Sequence, residues 1–176
     1  MGRCYARPMG VVERHFTVSG FVSQGGCTAL HWHRLGLWLP PGGHIEENED
    51  PIQAVLREVH EETGMRAEIV PTSGRYGYAQ PRQLPPPVTI GVYDIEEPGR
   101  PHQHIDLIYF TRPRAGESLE LPSDGNGWLW VSEDELRTES ELERPDGAGS
   151  AVIPEDVRQL GLDAIAAVRA LEADAA

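Results

Sequence analysis

The chain has 176 residues, 39% of them hydrophobic and 24% charged, a composition that excludes a disordered or fibrous protein and suits one domain with a sizeable core. The formal net charge is −13, and every basic residue counted in it is Arg. Such a surface repels phosphate backbones and excludes nucleic acid as a bulk partner; it admits an anionic small substrate only where bound cations reverse the local field.

Residues 1–13 read as an N-terminal extension. They lack the apolar run of a signal peptide, and no segment approaches the ~18 apolar residues of a membrane span, so no membrane partner is expected. Cys4 and Cys27 read as two reduced thiols of a cytoplasmic protein. Residues 14–23 predict a strand with Phe16, Val18 and Val22 facing the core and Phe21 pointing away. Gln24-Gly25-Gly26 signals a turn, and 27–33 the returning strand of a hairpin. After Leu37-Trp38-Leu39-Pro40, residues 41–50 read as a polar loop. A helix is predicted over 51–63, with Asp50 as N-cap, Pro51 at the first helical position and Gly64 as its left-handed stop. Ile52, Val55, Leu56 and Val59 form its apolar stripe.

Residues 66–70 predict a strand, and the Pro-rich 71–87 a loop that is a candidate lid or homodimer contact. Residues 88–95 and 104–112 predict two further strands, paired with each other, and 127–131 a short one. Ser132 with Glu135 forms a capping-box pattern. Residues 141–153 read as a linker, and 154–176 as a C-terminal helix packing on the same domain, whole or broken near Gly161. Interleaved helices with hairpin-connected early strands imply an α/β (α+β) fold built on a mixed sheet.

Within the predicted helix, Arg57-Glu58-Val59-His60-Glu61-Glu62-Thr63-Gly64 places three carboxylates in an arc of about 100° beside the apolar stripe. On these residues alone a solvated helix face is the plainer reading, with Arg57 and Glu61 an ordinary i, i+4 pair. The alternative is a site for hard divalent cations, which take oxygen ligands and would offset the repulsion. Upstream residues favour the alternative. Gly43, five residues, Glu49, seven residues, then Arg57-Glu58-Val59-His60-Glu61-Glu62-Thr63-Gly64-Met65 resembles, without a gap, the signature box of the Nudix hydrolase family. Met65 is a loose match where an aliphatic residue is asked for. The approach Trp38-Leu39-Pro40-Pro41-Gly42-Gly43-His44-Ile45-Glu46 is also similar to the family's, Pro40 being a small departure.

The resemblance implies a Nudix-type mixed β-sheet sandwiched between helices, α/β/α, over residues 14–140, with the box as loop–helix–loop. It implies hydrolysis of the pyrophosphate bond in a nucleoside diphosphate linked to another moiety: a nucleoside triphosphate, an ADP-ribose-like compound or a dinucleoside polyphosphate. The implied cofactor is Mg²⁺ or Mn²⁺, held by Glu58, Glu61 and Glu62, with the Gly42 carbonyl completing the site. Glu58 is the choice for the residue that handles the attacking water, Arg57 orients a glutamate, and Gly43, Glu49 and Gly64 support the box. Members often add an acidic residue from outside the box. Asp124 is preferred over Glu117 and Glu120, although a turn-forming Asp in Ser-Asp-Gly is an equal reading. The rival function is a non-catalytic Nudix-fold module that senses a nucleotide or binds a protein; such modules usually lose box glutamates, and this chain keeps them.

Other features carry less. His31 and His33 share a strand face but lack a third soft ligand for zinc, and they are candidates for lining a substrate cleft. His102, His104 and Asp106 either contact substrate phosphate or mark where a loop ends and a strand starts. Trp38, Trp128, Trp130, Tyr76 and Tyr78 are candidates for stacking on a base, although Trp on a strand is more often core. Nothing in the box reads the base or the leaving group.

Overall fold

The computed structural model describes residues 12–74, 76–123 and 127–174. Asp124 and Cys4 lie outside them. The described strands are β1 (Glu13–Gln24), β2 (Cys27–His33), β3 (Leu37–Leu39), β4 (Gly42–His44), β5 (Ala67–Ile69), β6 (Thr89–Ile95), β7 (His102–Pro113), β8 (Leu129–Ser132), β9 (Glu141–Glu143) and β10 (Ser150–Val152). The helices are α1 (Pro51–Thr63), α2 (Glu133–Arg137) and α3 (Glu155–Asp174). None of them is long and apolar enough to cross a membrane.

The centre is a mixed sheet. β1 and β7 run parallel from Glu13↔His102 to Val22↔Thr111. β5 and β6 pair antiparallel with β7. On its other edge β1 pairs first with β4, at Thr17↔His44 to Ser19↔Gly42, and then at its end with β2. β2 diverges to pair β3 and β8.

From Thr17 onward both faces of β1 are covered, so strict alternation of core and solvent residues fails there. One face packs under α1: Val18, Ala54, Val55 and Tyr109 form one cluster, with Val22 and Val59 in the next. Gly20 lets the helix approach closely, since a Cβ there would lie 2.7 Å from Val59 Cγ2 and 2.9 Å from Val55 Cγ2. The other face packs under α3, where Phe21, Ile108 and Phe110 meet Val157, Ile165 and Val168. Phe21, expected to point out, is therefore buried. Phe16, expected inside, is 58% exposed; it precedes Val18 on the strand and joins none of the α1-side clusters.

α1 has the predicted bounds. Asp50 accepts from the N–H groups of Ile52 and Gln53, Pro51 begins the helix, and Gly64 closes it at φ 75°. Its buried residues are Ala54, Val55, Val59 and Thr63, so the core-facing stripe is centred closer to Ala54 than the expected Ile52 and Leu56, which are partly buried. Two expectations are corrected. The loop over 41–50 contains β4, a short strand whose partner is β1. The linker over 141–153 holds the β9–β10 hairpin: Leu142 and Ala151 pack on the core, Ile153 is buried, and Trp38 Nε1 donates to the Leu142 carbonyl at 3.1 Å. α3 is unbroken at Gly161, where a Cβ would lie 3.1 Å from Leu136 and 3.2 Å from Thr28.

Candidate metal and substrate site

Glu58, Glu61 and Glu62 project from the last turns of α1, and β4 lies beside them. Gly43 is the contact point: a Cβ there would sit 2.4 Å from Glu58 Oε1. The glycine thus leaves room for the Glu58 carboxylate, which a side chain at this position would push aside. Gly42 N–H donates to Glu62 Oε2 at 3.1 Å, which ties a second glutamate to the same strand.

Arg57 organises the rest. Its Nε and Nη2 donate to the two Glu49 carboxylate oxygens at 2.8 and 2.9 Å, a bidentate fork that Lys cannot make. Nη1 donates to Glu58 Oε1 at 2.7 Å and Glu61 Oε2 at 3.1 Å, and Nη2 also reaches the His44 carbonyl at 3.1 Å. The hydrogen bonds from Arg57 hold the Glu49 carboxyl below its usual range, and those to Glu49 first, then Glu58 and Glu61, push the Arg57 guanidinium up. Glu49 also accepts from Glu46 N–H, so it closes the loop between β4 and α1.

Glu62 has the Gly42 N–H but no hydrogen bond from Arg57. Burial, and then the charges of Glu58 and Glu61, raise its pKa to about 7. Three carboxylates with one guanidinium among them, and one so disfavoured as an anion, form an oxygen donor set short of positive charge. That donor set fits a hard divalent cation.

Glu61 and Glu62 form one side of an open cleft of about 330 Å³, and His31, Trp32, His33, Arg34 and Trp128 complete its lining. His31 stacks on Trp128, ring centroids 4.7 Å apart and planes 18° from parallel. Both histidines of the His31-Trp32-His33 stretch therefore line the cleft. Arg34 was not singled out by any motif; its only signal is its place directly after that stretch, at the end of β2.

The remaining candidates disperse. Trp38 is fully buried. Trp130 donates to the Leu119 carbonyl. Tyr76 and Tyr78 stack on each other in the exposed 71–87 loop. The Glu117 carboxylate accepts from Arg66 N–H. Asp106 is on the sheet face away from α1, where Thr17 Oγ1 and Ser19 Oγ donate to it at 2.8 and 2.7 Å. His102 and His104 share that face by alternation, with their Nε2 atoms 3.2 Å apart.

Residues 13–151 match the model of the NUDIX domain. The chain belongs to the Nudix family. The matched range contains the whole Nudix box on β4 and α1, and it extends into the β9–β10 hairpin as far as Ala151. A MutT-like protein of Streptomyces ambofaciens is 28% identical over 153 residues, covering 82% of this chain and 85% of that protein. An RNA pyrophosphohydrolase of Erythrobacter litoralis is 32% identical over 104 residues, 58% of this chain and 63% of its own length. The chain thus spans less than two thirds of that relative. Among solved structures, a Nudix-family hydrolase from Clostridium perfringens superposes with a TM-score of 0.64 at 27% identity, covering 89% of this chain and 99% of that one.

Proposed function

We propose that this chain is a divalent-metal-dependent pyrophosphohydrolase acting on a nucleoside diphosphate linked to another moiety. The observation that carries the reading is the intact box as folded: three glutamates gathered on one helix turn, Glu58 and Glu61 held by the Arg57–Glu49 pair and Glu62 by Gly42 N–H, with Glu61 and Glu62 lining an open cleft. Glu58, Glu61 and Glu62, with the Gly42 carbonyl, would hold Mg²⁺ or Mn²⁺. The metal supplies positive charge that polarises a phosphoryl group and neutralises the charge developing on it. The chain's own groups do the positioning. Glu58 has one oxygen engaged by Arg57, and its carboxylate is the one assigned to orient the water. The water oxygen bonds to a phosphorus as the water passes a proton to the Glu58 carboxylate, the bridging P–O bond breaks, and the departing phosphate keeps the electron pair.

The His31 ring, backed by the buried Trp128, offers a flat surface to a base, and Arg34 offers a cation to a phosphate remote from the metal. Asp124, four residues before Trp128 in sequence, remains the preferred acidic residue outside the box. Although one relative is named for RNA, the net charge of −13 favours a small nucleotide over a polymer. The cytoplasm suits such a substrate, and Cys27 is a free thiol.

The test compares wild type with Glu61→Gln on a panel of nucleoside triphosphates, ADP-ribose-like compounds and dinucleoside polyphosphates at millimolar Mg²⁺, with products read by mass spectrometry. Wild type is expected to cleave at least one pyrophosphate and the variant to be slower by about 10²-fold or more, the scale of a lost electrostatic group. Tight binding of a nucleotide by wild type without turnover of any panel member would instead establish a sensing module. A variant as active as wild type would remove Glu61 from the metal site.

A further inference from the structure

On the face of the sheet away from α1, three strands bring three imidazoles together. The parallel register sets His15 of β1 opposite His104 of β7. The antiparallel register sets His44 of β4 opposite Thr17, two residues along β1 from His15 and on the same face. One ring nitrogen from each of the three lies within 4.8 Å of the others. The ring centroids are 5.2 Å apart for His15–His44, 4.9 Å for His44–His104 and 6.0 Å for His15–His104.

The partners of these rings fix which nitrogens carry protons in the neutral forms. A carboxylate only accepts, so the 3.0 Å contact of His15 Nε2 with Glu13 Oε1 puts the proton on Nε2. His15 Nδ1 is then a bare lone pair, and it is the atom that faces His44 Nε2 at 3.2 Å. A carbonyl also only accepts, so His102 Nδ1, 2.9 Å from the Arg100 carbonyl, is protonated and its Nε2 is bare. His104 Nε2 therefore donates to His102 Nε2 across 3.2 Å, which leaves His104 Nδ1 as the lone pair. Glu13 is itself fixed by Arg100, at 2.6 and 3.1 Å. A carboxylate on the outer N–H of one histidine and an acceptor on the outer N–H of another is the second layer that metal-ligating histidines have.

We propose that His15, His44 and His104 form a second metal site, separate from the box, for one divalent transition ion of the zinc or nickel class. Three imidazoles with no carboxylate among the ligands select a borderline ion and not Mg²⁺, which needs oxygen. Tetrahedral zinc with bonds of 2.0–2.1 Å holds its nitrogens roughly 3.4 Å apart. The ring nitrogens already lie within 4.8 Å of one another, so binding draws the three rings inward, and His44, the exposed member, has the most room to turn. On binding, the His44 ring shifts from the Nε2–H to the Nδ1–H tautomer, which frees the Nε2 lone pair with no net loss of a proton, and a water fills the fourth position. The two sites then sort ions by chemistry: oxygen donors on α1 for the hard cation, nitrogen donors on the sheet for the softer one.

The test uses the full chain without a polyhistidine tag. It is equilibrated with Zn²⁺ in millimolar Mg²⁺, desalted and assayed for metal by mass spectrometry. Wild type and Glu61→Gln are expected to retain about one zinc ion per chain, and the double variant His15→Ala/His104→Ala to lose it. Co²⁺ in place of Zn²⁺ is expected to give the visible bands of a tetrahedral site. Glu13→Gln, which keeps all three ligands, is expected to weaken the zinc affinity by roughly 10–100-fold; it carries the test if the double variant does not fold. Wild type without bound zinc, a folded double variant that retains zinc as wild type does, or a Glu13→Gln affinity equal to that of wild type would each overturn the proposal. Loss of zinc from Glu61→Gln would overturn it too, since it would assign the ion to the box.

Discussion

Glu58 is clamped between a guanidinium and a backbone that has no side chain, and this makes Gly43 a sharper probe of the box than the glutamates themselves. Arg57 Nη1 holds Glu58 Oε1 at 2.7 Å, while a Cβ on Gly43 would intrude to 2.4 Å from the same oxygen. The intruded group is the end of a flexible side chain, so Gly43→Ala has a cheap escape for the fold and a costly one for the chemistry: the carboxylate swings away from Arg57. A charge-assisted hydrogen bond contributes about 1.5–3 kcal/mol, which converts to roughly 10–100-fold in kcat/KM where the displaced group serves the transition state. Gly43→Ala is therefore expected to lower activity by that factor while the thermal midpoint moves by only a few degrees. A midpoint collapsing in step with activity would show that Gly43 acts through the fold alone. The spacing of the box makes Gly43 legible in the sequence. The Gly42 N–H to Glu62 bond is not, because it joins residues 20 apart through a strand that the sequence does not announce.

α1 reaches the sheet over Gly20, and this contact sets how far the glutamates stand from β4. A Cβ at Gly20 would meet branched, fully buried valines at 2.7 and 2.9 Å, which have little room to yield. Overpacking of this kind costs about 1–3 kcal/mol, so Gly20→Ala is expected to lower the urea midpoint with an unchanged m-value. An unchanged midpoint would mean that α1 floats on the sheet. The element boundaries explain what a sequence can and cannot disclose here. Asp50, Pro51 and Gly64 act within one turn of their own helix, so both ends of α1 could be read locally. β4 contains two glycines in three residues and exists because β1 offers it a partner, a non-local cause. β9 and β10 are hidden the same way: Leu142, Ala151 and Ile153 are a sparse apolar signal among charges and glycines, and they make sense only against Trp38. Phe21 is buried against expectation because that part of β1 is covered on both faces and does not alternate, whereas Phe16 shares the face of Val18 but lies outside the clusters under α1.

Across the whole molecule, the charges that disfavour the metal-free site make stability depend on pH and on metal in opposite senses. Glu62 is raised from an ordinary 4.5 to about 7 by burial and by the neighbouring carboxylates. Between those values the folded chain holds a proton that the unfolded chain has released, so this group's contribution to stability falls as pH rises and is flat above about 7. Histidines act the other way. Burial and three neighbouring imidazoles lower His104 to about 4, and burial first also lowers His33 and His44. The unfolded chain holds their protons up to about 6.5, so their contribution rises with pH over that window. The wild-type curve is therefore a balance, and the difference between wild type and Glu62→Gln isolates the carboxylate. In chelator, the variant's thermal midpoint relative to wild type is expected to climb from pH 5 to pH 8. Millimolar Mg²⁺ is expected to reverse the order at pH 8. The ion binds only the folded chain through ionised ligands, stabilising wild type by about 2.7 kcal/mol at a hundredfold excess over Kd, and the variant lacks one ligand. A difference that stays constant with pH in chelator would mean that Glu62 is solvated as an ordinary carboxylate, and the electrostatic case for a cation among the three glutamates would fall with it.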